Sequence, residues 1–400
     1  MKRRTAIQTG ALSALAFQIP SAMSANDTVR LAVLGCGVRG SQHIDEIQAC
    51  SELNVEIGAV CDVWKPALED AAEKVHDNQD ARPKTYDDYR DVLNDPSIDG
   101  VVIATPDFGH AKILKEAAEA GKDAYCEKPM AVDFGEALAA VDAVREQKRV
   151  VQVGTQWRSD GKFIACANAA QSGELGKITR VSISQNFNQP RWRKPYEDVK
   201  QDDVQWDHFQ MHRHKKSFDP KRFKRWYLYR DYTNGLPGLW MSHYYNFVAW
   251  AMNDLFPHTL CGSGDVYFWG DDGRETFDTI GVIAQYPSGF QLNFTMSLCN
   301  EADTHCIFYG TNGKLDAWKT TVSGDGGAGS DQIAAARTLE PVKTTSHHWD
   351  WIECIRSRKD PRTPVEMGLA HSVAGIMTAQ SIRLGKVMKY DSKQRKMWEA

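Results

Sequence analysis

The chain has no Cys-x-x-Cys pair, no excess of charge of one sign, no internal repeat and no long apolar run beyond its first residues. Each absence removes a class. Nine cysteines, an odd number, are scattered at Cys36, Cys50, Cys61, Cys126, Cys166, Cys261, Cys299, Cys306 and Cys354. Without paired spacing they argue against a disulfide framework and against a zinc ribbon. They are expected to be buried, reduced thiols. A net charge of -4 and an isoelectric point near 6.3 leave no electrostatic footprint for nucleic acid. No segment after residue 25 approaches a transmembrane span.

What is present suits a globular protein, with 42% hydrophobic and 25% charged residues. Four hundred residues exceed what one hydrophobic core supports and imply two domains. Aromatic residues are plentiful (12 Trp, 13 Tyr, 15 Phe). They can stack on sugar rings, although most such residues fill cores.

Residues 1–25 read as a signal peptide. Lys2-Arg3-Arg4 is a charged start, Ala6 to Ile19 a short apolar run, and small residues follow through Ala25. The paired arginines before Thr5 resemble a twin-arginine signal, with Ala6 where a Phe is usual. That route exports folded protein to the periplasm. It would suit a chain that binds a dinucleotide and keeps its thiols reduced before export. An ordinary secretory signal is the alternative.

From Val29 to Val153, short apolar runs alternate with helical patterns: strands at Val29 to Leu34, Val55 to Cys61, Val101 to Ala104, Ala124 to Cys126 and Val150 to Val153. Helices are expected at Ser41 to Cys50, Pro66 to Val75, Tyr86 to Leu93, His110 to Ala120 and Phe134 to Gln147. This alternation predicts a doubly wound parallel sheet over residues 27–153. Residues 154–400 change texture. Helix Phe163 to Gln171 precedes an alternating strand, Ile178 to Asn186, and an aromatic, basic stretch from Trp206 to Tyr232. Strands follow at Cys261 to Trp269, Thr276 to Tyr286, Phe290 to Leu298 and Cys306 to Tyr309, with Pro287-Ser288-Gly289 as a turn between antiparallel neighbours. Helices close the chain near His347 to Arg358 and Val365 to Leu384. A second α/β domain with a mostly antiparallel open sheet is expected.

The first strand runs into Gly35-Cys36-Gly37-Val38-Arg39-Gly40. In such a loop the first glycine permits a tight turn, the second lets backbone approach a pyrophosphate, and the third lets helix pack on strand. The anion then sits on the helix N-terminus. Asp62 ends the second strand, where an acid takes the adenosine ribose hydroxyls and repels a 2′-phosphate. NAD is therefore expected over NADP, with Lys65 nearby as a counter-argument. Thr105-Pro106-Asp107 follows the strand ending at Ala104 and falls on the cofactor side of the sheet. His110 either lines the ribose site or faces solvent at a helix start.

About ninety residues after the loop comes Glu127-Lys128-Pro129. That tripeptide, the glycine loop and the Gly235 to Asn246 segment resemble the Gfo/Idh/MocA oxidoreductases, relatives of glucose–fructose oxidoreductase and inositol dehydrogenase. The resemblance covers nearly all of the chain after residue 25 and is nearest to exported members. It implies that Lys128 sits between nicotinamide and substrate and bonds the reacting hydroxyl, with Glu127 beside it. It further implies that His243 is the general base. The alternative for His243 is a packed helix histidine. The family often has Asp or Asn four residues before this histidine, where this chain has Leu239, and Asn246 replaces a common Asp. By the same resemblance Gln156 and Arg158 face substrate or cofactor, although Arg158 could equally make an interdomain salt bridge.

Trp206 to Asp231 is read as lining a sugar pocket, with Arg222, Trp226 and Tyr229 against the ring; a solvated basic edge is the alternative. No metal site is expected, although His212, His214 and His243 could form one if the fold brought them together. The expected function is NAD-dependent oxidation of a carbohydrate hydroxyl, with the cofactor retained and recycled. Two further readings stand: redox-assisted glycoside cleavage, and a non-catalytic sugar-binding protein, for which Leu239 is the argument. A homo-oligomer through the C-terminal sheet is the implied assembly.

Overall fold

The computed structural model describes residues 27–79, 81–190 and 193–400. The expected signal segment, residues 1–25, lies outside the described residues. The first domain holds β1 (Val29–Leu34), α1 (Val38–Gln48), β2 (Val55–Cys61), α2 (Lys65–Gln79), β3 (Lys84–Tyr86), α3 (Tyr89–Asn94), β4 (Gly100–Ile103), α4 (Asp107–Glu119), β5 (Asp123–Cys126), α5 (Phe134–Glu146) and β6 (Val151–Val153). The six strands form one parallel sheet in the order β3-β2-β1-β4-β5-β6. Strands β4 and β5 are buried throughout, as strands covered by helices on both faces must be. The order reverses between β1 and β4. The crevice beyond their carboxyl ends is the position where doubly wound sheets bind ligands.

The second domain adds α6 (Gly161–Gln171), β7 (Ile178–Asn186), α7 (Trp206–Gln210), α8 (Pro220–Lys224), α9 (Leu236–Leu239), α10 (Met241–Ala251), β8 (Thr259–Asp265), β9 (Thr279–Gln285), β10 (Gln291–Ser297), β11 (His305–Gly310), β12 (Gly313–Asp316), β13 (Thr321–Ser323), β14 (Arg337–Thr338), α11 (His347–Ser357), α12 (Val365–Leu384), β15 (Met388–Asp391) and β16 (Lys396–Glu399). Ten strands pair in the order β14-β13-β12-β11-β7-β10-β9-β8-β15-β16. Only β7 and β10 run parallel among these pairs. Alternate residues of β9 and β10 enter the core under α10 and α12, and the others face outward, Ile283 among them.

Three departures from expectation have local causes. The helix expected from Tyr86 begins at Tyr89, because Tyr86 closes β3 against β2 and Asp88 caps the helix by accepting the Arg90 N–H. Strand β8 stops at Asp265 rather than reaching Trp269. The carboxylate of Asp278 collects the N–H groups of Tyr267, Phe268 and Trp269 at 3.1, 2.9 and 2.9 Å and curls that segment off the sheet. Helix α11 crosses back to the first domain, where Trp351, Ile352 and Ile355 pack with Val29, Leu31 and Ile44. None of the nine cysteines is in a disulfide; seven are buried, Cys299 is half-buried and Cys261 is exposed. Among the described residues no helix is long and apolar enough to cross a membrane.

Candidate active site

The glycine loop has the geometry its sequence requires. Gly35 has φ +89°, and a Cβ there would lie 2.6 Å from the Ala104 carbonyl oxygen. A Cβ on Gly40 would lie 1.9 Å from the Gly35 carbonyl oxygen, so only glycine lets α1 start this close to β1. Beside Gly37 there is open space, and no side chain caps the N-terminus of α1. The helix thus presents its first N–H groups to a groove, the arrangement that holds a phosphate. Asp62 is half-buried at the end of β2 and accepts the Cys36 N–H at 2.6 Å and the Trp64 N–H at 2.8 Å. Burial raises its carboxyl, and the two N–H groups and the Lys224 charge oppose the rise. The groove is a cavity of about 990 Å³ running from this loop past Thr105 and Pro106 to Lys128 and His243. Its donors, acid and length fit a dinucleotide.

The cover over the adenosine end comes from the second domain. Residues 194–232 cross the first domain as a strap. Gln205 donates its N–H to the Val63 carbonyl at 2.8 Å, and Val204 bridges to Trp64. Phe209, Phe223, Tyr227 and Tyr232 bury themselves around Phe108 of α4, with Trp64 against them. Phe223, Lys224, Trp226 and Tyr227 wall the groove opposite Asp62. The Lys224 Nζ sits 3.3 Å from the centroid of the Trp64 ring. Of the aromatic, basic stretch expected to line a sugar pocket, His208, Phe223, Lys224, Trp226 and Tyr227 wall this groove, while Arg222 and Tyr229 do not.

At the far end, Lys128 and His243 meet from different domains. The Lys128–Pro129 peptide is cis. The Lys128 Nζ donates to the Leu239 carbonyl at 2.6 Å, one of the unpaired carbonyls that end a helix, here α9. Burial lowers the ammonium's pKa, with the charges of Glu127 and Asp107 opposing. Burial, then the Lys128 charge, holds His243 well below the usual histidine value, so its imidazole is neutral and free to accept a proton. Its Nδ1 is buried and makes no hydrogen bond, as expected with Leu239 where an acid is common. The ring stacks on Trp157 at 5.3 Å. Lys128, His243, Thr105, Trp226 and Leu239 also wall a second cavity of about 600 Å³, shared with Asp107, Glu127 and Gln156.

Glu127 anchors the lysine's backbone by accepting the Lys128 N–H at 2.9 Å and is itself held by Arg39 at 2.6 Å and His43 at 3.1 Å. Burial opposes its ionisation, yet the His43 hydrogen bond and the charges of His43, Arg39 and Lys128 prevail and keep it well below the usual carboxylate range. His43 continues to His348 of α11 at 2.8 Å and on to Glu46 at 3.1 Å. Those three form the one group among the described residues with metal-ligand proximity, and hydrogen bonds already knit them.

The other expected residues divide sharply. Gly35, Gly37, Val38, Arg39, Asp62, Thr105, Pro106 and Lys128 line the groove; Glu127 and Gln156 line the second cavity, and Trp226 lines both. His110 borders the second cavity but is buried, with both ring nitrogens within hydrogen-bond distance of carbonyl oxygens. Five residues are placed elsewhere. Arg158 lies over the Trp250 ring at 4.9 Å. Arg222 stacks on Tyr229 at 4.0 Å and bonds Asp231 at 3.2 Å, which engages both residues outside the cavities. Asn246 is buried and donates to the Met367 carbonyl at 3.2 Å, a packing role. His212 pairs with Glu136 at 2.8 Å and lines neither cavity. Sequence reasoning missed Asp107, Trp64, His43 and Glu46. The spacing of His43 and Glu46 from Arg39, on one face of α1, was an available signal.

Comparison with known proteins agrees with this geometry. Inositol 2-dehydrogenase of Salmonella typhimurium is 32% identical over 155 residues, 38% of this chain and 45% of that protein. A glycosyl hydrolase family 109 protein of Shewanella baltica is 36% identical over 171 residues, 42% of this chain and 37% of that protein. The chain thus spans less than half the length of these curated relatives. The crystal structure of the WlbA dehydrogenase from Bordetella pertussis, in complex with NADH and UDP-GlcNAcA, has the same fold, with TM-score 0.67 and 19% identity over 91% of this chain and 99% of that one. Residues 29–155 match the GFO_IDH_MocA family, described as oxidoreductase family, NAD-binding Rossmann fold.

Proposed function

We propose that the protein is an NAD-dependent oxidoreductase acting on a sugar or glycoside hydroxyl. One observation carries the reading: Lys128 and His243, from opposite domains, wall both the dinucleotide groove and the adjoining cavity. Bound nicotinamide would supply the hydride acceptor. The neutral imidazole of His243 takes the hydroxyl proton, and the Lys128 ammonium steadies the developing alkoxide. Arg39, the α1 N-terminus and Asp62 would hold the cofactor. NAD rather than NADP follows from the Asp62 carboxylate, with Lys224 as the opposing charge.

The strap supports retention of the cofactor between turnovers. An exported periplasmic enzyme, as residues 1–25 suggest, would need that. A cofactor recycled in place allows two outcomes, paired sugar oxidation and reduction, or transient oxidation that acidifies a neighbouring C–H and lets an aglycone leave. The 36% identity to a glycosyl hydrolase family 109 protein favours keeping the second. Assembly through the outward face of β8–β10 is part of the proposal.

The test is mass spectrometry of small molecules released on denaturing the purified protein, followed by deuterium wash-in at sugar carbons. NAD(H) should be released, and label should enter with wild type but not with Lys128→Ala. A protein that binds no dinucleotide on direct titration and exchanges no label across a broad sugar and glycoside panel would instead be a non-catalytic binding protein.

A further inference from the structure

Two buried ionisable groups beneath Lys128 are not used by that reaction. Asp107 and His110 belong to the first turn of α4 and are 3% and 2% exposed. The His110 Nδ1 lies 2.8 Å from the Pro129 carbonyl oxygen, and its Nε2 lies 2.7 Å from the Thr105 carbonyl oxygen. Carbonyl oxygens only accept, so both contacts are hydrogen bonds only if each ring nitrogen carries its hydrogen, the form of an imidazolium. A buried cation requires a counter-charge, and the carboxylate of Asp107, one helical turn earlier, couples to it through space rather than by direct contact. The second domain contributes Thr233, whose Oγ1 donates to Asp107 Oδ2 at 2.7 Å and accepts the Gly235 N–H at 3.0 Å. Asp107 also borders the cavity that holds Lys128, Glu127 and His243.

We propose that Asp107 and His110 form an ion pair that positions Lys128 and sets its charge. His110 pins the carbonyl of Pro129, the residue after the lysine. Asp107 adds negative charge beside an ammonium whose pKa burial lowers. The charges facing Asp107 are His110, Lys128 and Glu127; those facing Lys128 are Glu127, Asp107 and Arg39. His243 and His371 both feel the Lys128 charge.

Burial pushes the Asp107 carboxyl up to about 6, against the His110 charge and the Thr233 hydrogen bond. The carboxylate is present above that pH and is lost as pH falls through it. Above that pH the carboxylate supports the Lys128 ammonium and extends turnover toward alkaline pH. That Lys128 acts on a hydroxyl rests on the function proposed above; the ion pair does not.

The experiment is an NMR titration of the full protein labelled at Asp carboxyl carbons and His ring nitrogens, with Asp107→Asn and Thr233→Val beside wild type. Both His110 nitrogens should be protonated at neutral pH. The carboxyl signal missing from Asp107→Asn should titrate near 6, and Thr233→Val should move it to higher pH. In the label-exchange assay the alkaline limb of Asp107→Asn should shift about one unit lower, which is about a tenfold loss in that range, and Asp107→Glu should restore it. A His110 ring with one bare nitrogen, a carboxyl titrating in the ordinary range, or an unchanged pH profile would overturn the proposal. Should wild type exchange no label with any sugar, the proposed reaction fails while the NMR titration still decides the ion pair.

Discussion

The glycine loop and the strap border the same groove, but they are built by opposite means. The loop is decided within ten residues: a positive φ at Gly35, a close approach at Gly40 and an uncapped helix start. The strap has little structure of its own, two five-residue helices in a long irregular run. Its course is set by Trp64 and Phe108, which lie a hundred or more residues away along the chain. On the proposed function, backbone geometry would hold the phosphates, and side-chain packing would enclose the adenosine and convert binding into retention.

Gly40→Val breaks the loop and has the largest expected effect. The added carbons must displace the Gly35 carbonyl, which lies 1.9 Å from a Cβ. Calorimetry should show a loss of about 3 kcal/mol or more, and cofactor binding should be abolished. Lys128→Ala, where loop and strap meet the second cavity, should lower turnover by about 10²–10³-fold, the scale of one lost charge-stabilising donor. The variant should still release NAD(H) on denaturation, because the groove is intact. A Lys128→Ala enzyme with near wild-type exchange would remove the centre from the reaction.

Phe223→Ala tests the strap alone. Phe223 is buried at its centre, 5.1 Å from Phe209 and 6.3 Å from Trp64. Truncation should cost about 2–3 kcal/mol, less than a deep core phenylalanine because the site can partly collapse. Stopped-flow should show cofactor leaving about tenfold faster, with the chemical step unchanged. Loss of stability without faster release would mean that the strap is packing only, not a closure.

The same contrast explains what was legible in the sequence. Glycine spacing, an acid ending β2 and the Glu127-Lys128-Pro129 tripeptide are local patterns, and each stands where expected. Strands β2 and β7 and helix α12 match their expected limits. The strap misled because residue type does not say which way a side chain faces. Trp226 reaches both cavities, while Tyr229, three residues on, is buried under Arg222. Asp107 was passed over as part of a loop. Its importance comes from burial by Thr233, a residue of the other domain. Strand β16 was missed because its charged, exposed sequence shows no apolar alternation.

Arg222→Ala has the smallest expected effect and sharpens the comparison most. As a sugar ligand Arg222 would govern KM, and acidic sugars would lose more than neutral ones. In the structure its guanidinium is already occupied by the Tyr229 face and by Asp231, which Lys216 also approaches at 3.2 Å. Such a half-exposed pair is worth roughly 0–1 kcal/mol. KM for uronates and neutral sugars should therefore change by less than about threefold, and equally for both. A selective rise for uronates would return Arg222 to the substrate and require the strap to open during turnover. No change would leave the strap as cover, with substrate recognition confined to the cavity that Lys128 and His243 share.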